Sequence, residues 1–338
     1  MSTRRKMILD VDTGTDDAVA MILAMMSKEL DVIGVCTVNG NREVKLTTDN
    51  TLRVMELLES NVPVYRGCEY PMVATLRPEG GGGTPIREGT GTGIVSLIHG
   101  DHLPLPEVTY RKAEPVPAVC YYVDTLLNTT EKITLAAVGP LTNLGHALRI
   151  APEICNNIEE IVIMGGGHAF GNDSAAAEFN VWVDPEAGEI IQRVAGEEYG
   201  VKITWVPLDA THKCYMTVED AKYLRSLNLP AADAIASFIE TRTNGYVNDP
   251  DMLEKQASPI HDALAIASLI NPEVLEDVRH VNMHVVTGGG YCDGMTCLDM
   301  RNLTDIDGPN CYFALSANRD KFLKVLLDAV SGGVVYSK

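Results

Sequence analysis

Positive charge is what the chain most lacks: 27 Lys and Arg stand against 46 Asp and Glu, a formal net charge of −19 over 338 residues. Nucleic acids and anionic membranes both reward clustered cations, so this balance disfavours either as a partner. No run approaches the roughly 18 apolar residues that a membrane span needs. The apolar stretch after the N-terminal Met-Ser-Thr-Arg-Arg-Lys is stopped at once by Asp10 and Asp12, which leaves no signal-peptide core. None of the 8 cysteines forms a C-x-x-C pair, and they are too dispersed for a disulfide framework. They read as reduced thiols, mostly buried, in a cytoplasmic protein. Low-complexity linkers and internal repeats are also missing. The remaining composition, 46% apolar and 22% charged, is that of a globular protein.

Short β-rich runs alternate with amphipathic stretches. Strands are expected at 6–11, 31–38, 132–138, 158–164 and 201–206. Helices are expected at 16–27, 44–59, 141–150 and 185–195, with a helical section near 217–245. Runs such as Ile161-Val162-Ile163-Met164 are apolar on both faces, as in a parallel sheet covered by helices. The order predicts an α/β fold, one domain over residues 1–338, with ligand sites beyond the carboxyl ends of the strands. Residues 77–93 hold Gly80 to Gly83, Gly89, Gly91 and Gly93 and are expected to form a flexible loop, either a surface connection or a lid.

The densest chemistry lies in Asp10-Val11-Asp12-Thr13-Gly14-Thr15-Asp16-Asp17-Ala18, at an expected strand-to-helix turn. Acidic residues suit the start of a helix, and capping accounts for one or two of them. It accounts poorly for four converging on one turn. At an effective dielectric near 20, two like charges about 4 Å apart repel by roughly 4 kcal/mol. Such a cluster therefore calls for a cation or for altered protonation, and an all-oxygen donor set points to Ca²⁺ or Mg²⁺ rather than zinc. Two chemistries fit. An aspartate could be the nucleophile of a phosphoryl transfer, since Asp10-Val11-Asp12-Thr13 resembles the D-x-D of haloacid-dehalogenase-like phosphatases. Alternatively, a metal activates water and a neighbouring Asp takes its proton.

Further polar segments fall at strand ends on the same rim. They are Asn39-Gly40-Asn41, Val138-Gly139-Pro140-Leu141-Thr142-Asn143, Met164-Gly165-Gly166-Gly167 with Gly171-Asn172, Ala177-Glu178-Phe179-Asn180, and Ile260-His261-Asp262-Ala263. Each alone has a plain structural explanation, such as a first-turn proline, a glycine turn or an N-cap. Together they bring Asp, Asn, Glu and His, without lysine, to one pocket. That set suits the hydroxyls of an uncharged sugar better than a phosphate.

The ordered motifs D-V-D-T-G-T-D-D-A, V-G-P-L-T-N, M-G-G-G, A-E-F-N and I-H-D-A resemble those of the nucleoside hydrolase family over roughly residues 8–265. The resemblance implies a nucleoside hydrolase fold with a Rossmann-like core. It implies cleavage of the N-glycosidic bond of purine or pyrimidine ribonucleosides by a Ca²⁺-bound water, and a homodimer or homotetramer. Residue by residue, Asp12 would bind calcium and act as general base. Asp17, Asp262 and the carbonyl of Val138 would complete the ion's ligands. Asp16, Asn172, Glu178 and Asn180, with Met164, would hold the ribose. Asn41 would lie near the water, Phe179 beside the sugar, and His261 near the base as a candidate leaving-group acid. Asp10 would support the site from behind. The chain departs from the family at Thr13, where a proline is usual, and at Arg87, aligned with a loop histidine near the base. Tyr246 is a possible base contact.

Overall fold

The computed structural model describes residues 4–73, 76, 98–301 and 308–332. Its first strand, β1 (Arg5–Val11), has no solvent face. Met7, Leu9 and Val11 enter one hydrophobic core while Ile8 enters the other. A strand buried on both sides belongs in the middle of a parallel sheet. There it lies between β2 (Leu30–Thr37) and β4 (Ile133–Ala137), parallel to both.

The other strands are β3 (Val64–Arg66), β5 (Ile158–Met164), β6 (Lys202–Val206), β7 (Tyr215–Thr217), β8 (Ala257–Pro259), β9 (Leu275–Val285), β10 (Thr296–Asp299) and β11 (Cys311–Ala317). Among the described residues, nine form one sheet in the order β10-β9-β11-β6-β5-β4-β1-β2-β3, and β7 and β8 pair separately. From β1 the chain winds outward to β2 and β3, then crosses to β4, β5 and β6 on the other side. The carboxyl ends of β1 and β4 therefore flank a topological switch point, where an open α/β sheet leaves a crevice for ligand.

Helices cover both faces. Against one core pack α1 (Thr15–Met26), α2 (Val44–Leu57) and, later in the chain, the helices Pro230–Gly245, His261–Ile270 and Arg319–Val330. Against the other pack α3 (Ala118–Asn128), α4 (Thr142–Ile150), the short α5 (Phe179–Val183) and α6 (Pro185–Ile190). The three late helices are α7, α8 and α9 in chain order.

This is the mostly parallel α/β architecture the alternation predicts, and the expected elements sit within a residue or two of the observed ones. One needs correction. The helix expected over 185–195 is α-helical only to Ile190 and widens into a π-helix over Ile191–Glu198. The helical section near 217–245 is present as two helices, Val218–Ser226 and α7, parted where Asn228 adopts φ +54° and Pro230 opens α7. Strands β9 to β11 escape sequence reading. The first half of β9 is exposed through Glu276, Asp277, Val278, Arg279 and His280, so no alternation marks it. Of the cysteines, Cys36, Cys155, Cys214 and Cys311 are buried, but Cys120, Cys292 and Cys297 are exposed, so "mostly buried" was too broad. The loop at 77–93, Arg87 included, lies outside the described residues. Among those described, no helix is long and apolar enough to cross a membrane.

Candidate active site

Asp12 follows β1 at the switch point. The backbone N–H of Asn41 donates to its Oδ2 at 2.6 Å. Glycines flank the carboxylate on both sides: a Cβ on Gly40 would lie 2.1 Å from Oδ2, and one on Gly139 would lie 2.8 Å from Oδ1. Only bare backbone leaves room for the carboxylate there. Asp17, in the first turn of α1, is bound from the same loop. Its Oδ1 accepts from Asp12 N–H at 3.1 Å, and its Oδ2 from Gly14 N–H at 2.8 Å and Asn41 Nδ2 at 3.2 Å.

Asp262 enters from the start of α8, more than two hundred positions away. Asp16, Asp17 and Asp262 each bring a carboxylate oxygen within 4.8 Å of the other two, and all three are buried. Burial pushes Asp17 up to about 7, with the charge of Asp16 adding to the effect. Burial, then the charges of Asp16, Asp17 and Asp12, drives Asp262 well above the usual carboxylate range. Asp12 moves the same way through burial and Asp17. Carboxylates so close and so dry must share protons or a cation, and an all-oxygen set of this kind fits a hard divalent ion. The expected ligands Asp12, Asp17 and Asp262 are brought together. The tight trio, however, contains Asp16, while Asp12 stands beside it with Oδ2 turned to the Asn41 amide.

Above the acids opens a cavity of about 430 Å³, lined by Asp12, Asp16, Asn41, Val138, Met164, Asn172, Glu178, Phe179, Asn180, His261 and Asp262, among others. It therefore gathers every expected site residue except Asp17, which lies beneath it, fully buried. Beside the acids, Asn180 Nδ2 donates to the carbonyls of Val138 at 2.9 Å and Met164 at 3.1 Å, binding the ends of β4 and β5 together. Glu178 caps α5: Oε1 accepts from Asn180 N–H, and Oε2 from Gly166 and Val181 N–H. Burial still raises its pKa to about 7. Asn172 Oδ1 accepts from Phe179 N–H at 2.9 Å.

His261 is held at both ring nitrogens, Nδ1 2.7 Å from Thr211 Oγ1 and Nε2 3.0 Å from the Tyr246 hydroxyl. Burial, reinforced by His212, Arg242 and His99, holds its pKa well below the ordinary value, so the ring is neutral at neutral pH. The His212 ring lies 5.4 Å from His261 and meets the edge of Phe170 at 5.1 Å. This end of the cavity is aromatic and suits a planar heterocycle.

Among the lining residues that sequence reading did not name are Phe170, His99, His212 and Arg242. His99, in Ile98-His99-Gly100, reaches the cavity from the segment after the glycine-rich stretch. Its Nδ1 accepts from Thr15 N–H at 3.2 Å. Arg242 occupies the buried stripe of α7 after Ile235, Phe238 and Ile239, and a cation on an apolar stripe was the readable signal. Asp10 lies outside the cavity lining, buried and bound by Tyr122 OH at 3.0 Å and Asn143 Nδ2 at 3.0 Å. It is thus badly placed for the nucleophile's role in the phosphatase alternative.

The sequence profile described as inosine-uridine preferring nucleoside hydrolase matches residues 7–324. The pyrimidine-specific ribonucleoside hydrolase RihA of Escherichia coli (strain K12) is 33% identical over 326 residues, covering 95% of this chain and 96% of its own. RihA of Shigella boydii serotype 4 (strain Sb227) gives the same figures. Among solved structures, the purine-preferring ribonucleoside hydrolase from Gardnerella vaginalis superposes with a TM-score of 0.84 at 29% identity, covering 97% of this chain and 98% of that one. A plant nucleoside hydrolase, PpNRh1, reaches 0.83 at 25% identity, covering 97% and 99%.

Proposed function

The chain belongs to the inosine-uridine preferring nucleoside hydrolase family and is an enzyme that hydrolyses N-glycosidic bonds, and we propose that it cleaves ribonucleosides to ribose and free base with Ca²⁺ as its metal. The observation that carries this reading is the convergence of Asp16, Asp17 and Asp262 within 4.8 Å, with Asp16 and Asp262 lining the cavity beside Asp12. Asp12, Asp17, Asp262 and the Val138 carbonyl would hold the ion. When bound, it supplies Lewis-acid polarisation of a water and an anchor for vicinal hydroxyls.

The protein's own residues do the rest. Asp12, pinned between two glycine backbones, receives the proton that the attacking water gives up. Asp16 accepts a ribose hydroxyl. Asn172, Glu178 and Asn180 line the same cavity, so the ribosyl group, which becomes cation-like as the bond breaks, is surrounded by carboxylates and amides that stabilise positive charge. Phe179 packs beside the sugar and Asn41 fixes Asp12. Neutral His261 donates its ring N–H as a hydrogen bond to the departing base and stabilises the charge that develops there, and the base ends with the proton that the water gave to Asp12.

Supporting this over phosphoryl transfer is the cavity lining, in which the described residues include no lysine and a single arginine already paired with Asp16. The test is chromatography of the products from inosine, adenosine, guanosine, uridine and cytidine. Release of free base and ribose in a 1:1 ratio is expected with at least one of them. Turnover of p-nitrophenyl phosphate with none of the nucleosides cleaved would reverse the reading, and ribose binding without turnover would indicate a non-catalytic relative. The resemblance also carries an expectation of a homodimer or homotetramer, which sedimentation velocity measures directly.

A further inference from the structure

Arg242 is the lone Lys or Arg among the described residues that line the cavity, and it is 1% exposed. Its Nη1 donates to Asp16 Oδ1 at 2.7 Å and to Thr15 Oγ1 at 3.1 Å, while Nε donates to the Pro259 carbonyl at 3.1 Å. One guanidinium therefore joins α7, the start of α1 and the end of β8, and its plane is fixed from both sides. The ring of Tyr246 lies 5.8 Å from its Cζ.

Asp16 is close enough to Asp17 and Asp262 to serve as a ligand in the same cluster. What distinguishes it from them is the guanidinium. A carboxylate already paired with a buried cation is a weak ligand for a second one, yet its remaining lone pairs still accept a hydroxyl hydrogen.

We propose that Arg242 is a positioning residue that commits Asp16 to the sugar and withholds it from the metal. The inference rests on the reading of Asp16 as a ribose ligand. Without the guanidinium, Asp16 keeps only its backbone donors and the neutral His99 ring, 3.7 Å away, beside three other buried acids, and a divalent cation becomes its best available partner. The hydroxyl then loses its acceptor, and the ion gains a ligand while losing a repelling neighbour.

The test combines Arg242→Gln, Arg242→Lys, Asp16→Asn and the double variant Arg242→Gln/Asp16→Asn. It reads nucleoside KM and kcat and, separately, calcium affinity by calorimetry without nucleoside. Arg242→Gln is expected to raise KM by roughly tenfold or more, the value of a hydrogen-bonded charged group, with a smaller change in kcat. Its calcium affinity is expected to rise several-fold. Arg242→Lys keeps the charge and should leave calcium affinity near wild type with an intermediate KM. In the Asp16→Asn background, Arg242→Gln should add little, because the group it acts through is already altered. Wild-type KM and calcium affinity in Arg242→Gln would overturn the proposal, as would calcium affinity falling together with nucleoside binding, or additive losses in the double variant. An unchanged KM in Asp16→Asn alone would instead remove the ribose-ligand reading. If Arg242→Gln does not fold, Arg242→Lys in the two Asp16 backgrounds reads the same coupling.

Discussion

The backbone N–H of Asn41 donates a 2.6 Å hydrogen bond to Oδ2 of Asp12, across 29 positions of sequence. The side chain of Asn41 meanwhile reaches Asp17, so a single turn after β2 fixes both acids that follow β1. Asp12→Asn keeps the shape and removes the base, and kcat should fall by roughly 10²- to 10⁴-fold, the usual worth of a positioned general base. Gly40→Ala should also lose turnover while the fold persists by circular dichroism, since its Cβ would meet Oδ2 at 2.1 Å. Near-normal steady-state rates in either variant would contradict the role of Asp12.

His261 should matter in proportion to the leaving group's need for a proton. His261→Ala is expected to slow inosine and uridine far more than p-nitrophenyl riboside, whose leaving group departs without protonation. Tyr246→Phe should show the same pattern more weakly, because it removes one partner of Nε2 and leaves Thr211 on Nδ1. Equal losses on all three substrates would make His261 a packing residue.

Much of this site was legible because acidic and amide residues cluster at strand ends for few reasons other than ligand binding. Asp12, Asp16, Asp17 and Asp262 could be named from local pattern, and all four meet in space. What could not be read was the partnership within the cluster. Arg242 and Asp16 are 226 positions apart, and no local period reports a contact of that kind. His99 follows a glycine-rich stretch, where spacing carries little register, and no motif marks it. In the fold, the interior parallel strands declared themselves by unbroken apolar runs such as β5. The antiparallel edge, β9 and β10, is half solvated and leaves no such trace.

Asp10 supports the site from the other core, and its loss should register in stability. Tyr122→Phe deletes one donor to a buried carboxylate and should cost about 1–3 kcal/mol of unfolding free energy. Urea denaturation with equal m-values would measure it. A variant as stable as wild type would mean that the 3.0 Å contact contributes nothing.

Glu178 offers a pH signature. Its folded-state pKa is raised from 4.5 to about 7, chiefly by burial. The folded protein therefore holds this proton more tightly than the unfolded chain does. The resulting stabilisation is complete below about pH 4.5 and is lost as pH rises through about 7. Relative to Glu178→Gln, which cannot titrate, wild type should lose on the order of 3 kcal/mol across that window. Parallel stability profiles for the two proteins would show that Glu178 ionises normally.

The most direct measurement is a calorimetric calcium titration of chelator-treated protein beside Asp262→Ala. Wild type should bind one Ca²⁺ per chain and recover nucleoside hydrolysis as the site fills, while Asp262→Ala should lose that binding with its fold intact. Full hydrolysis in calcium-free protein, or calcium bound equally well without the Asp262 carboxylate, would contradict a metal cage built from both ends of the chain.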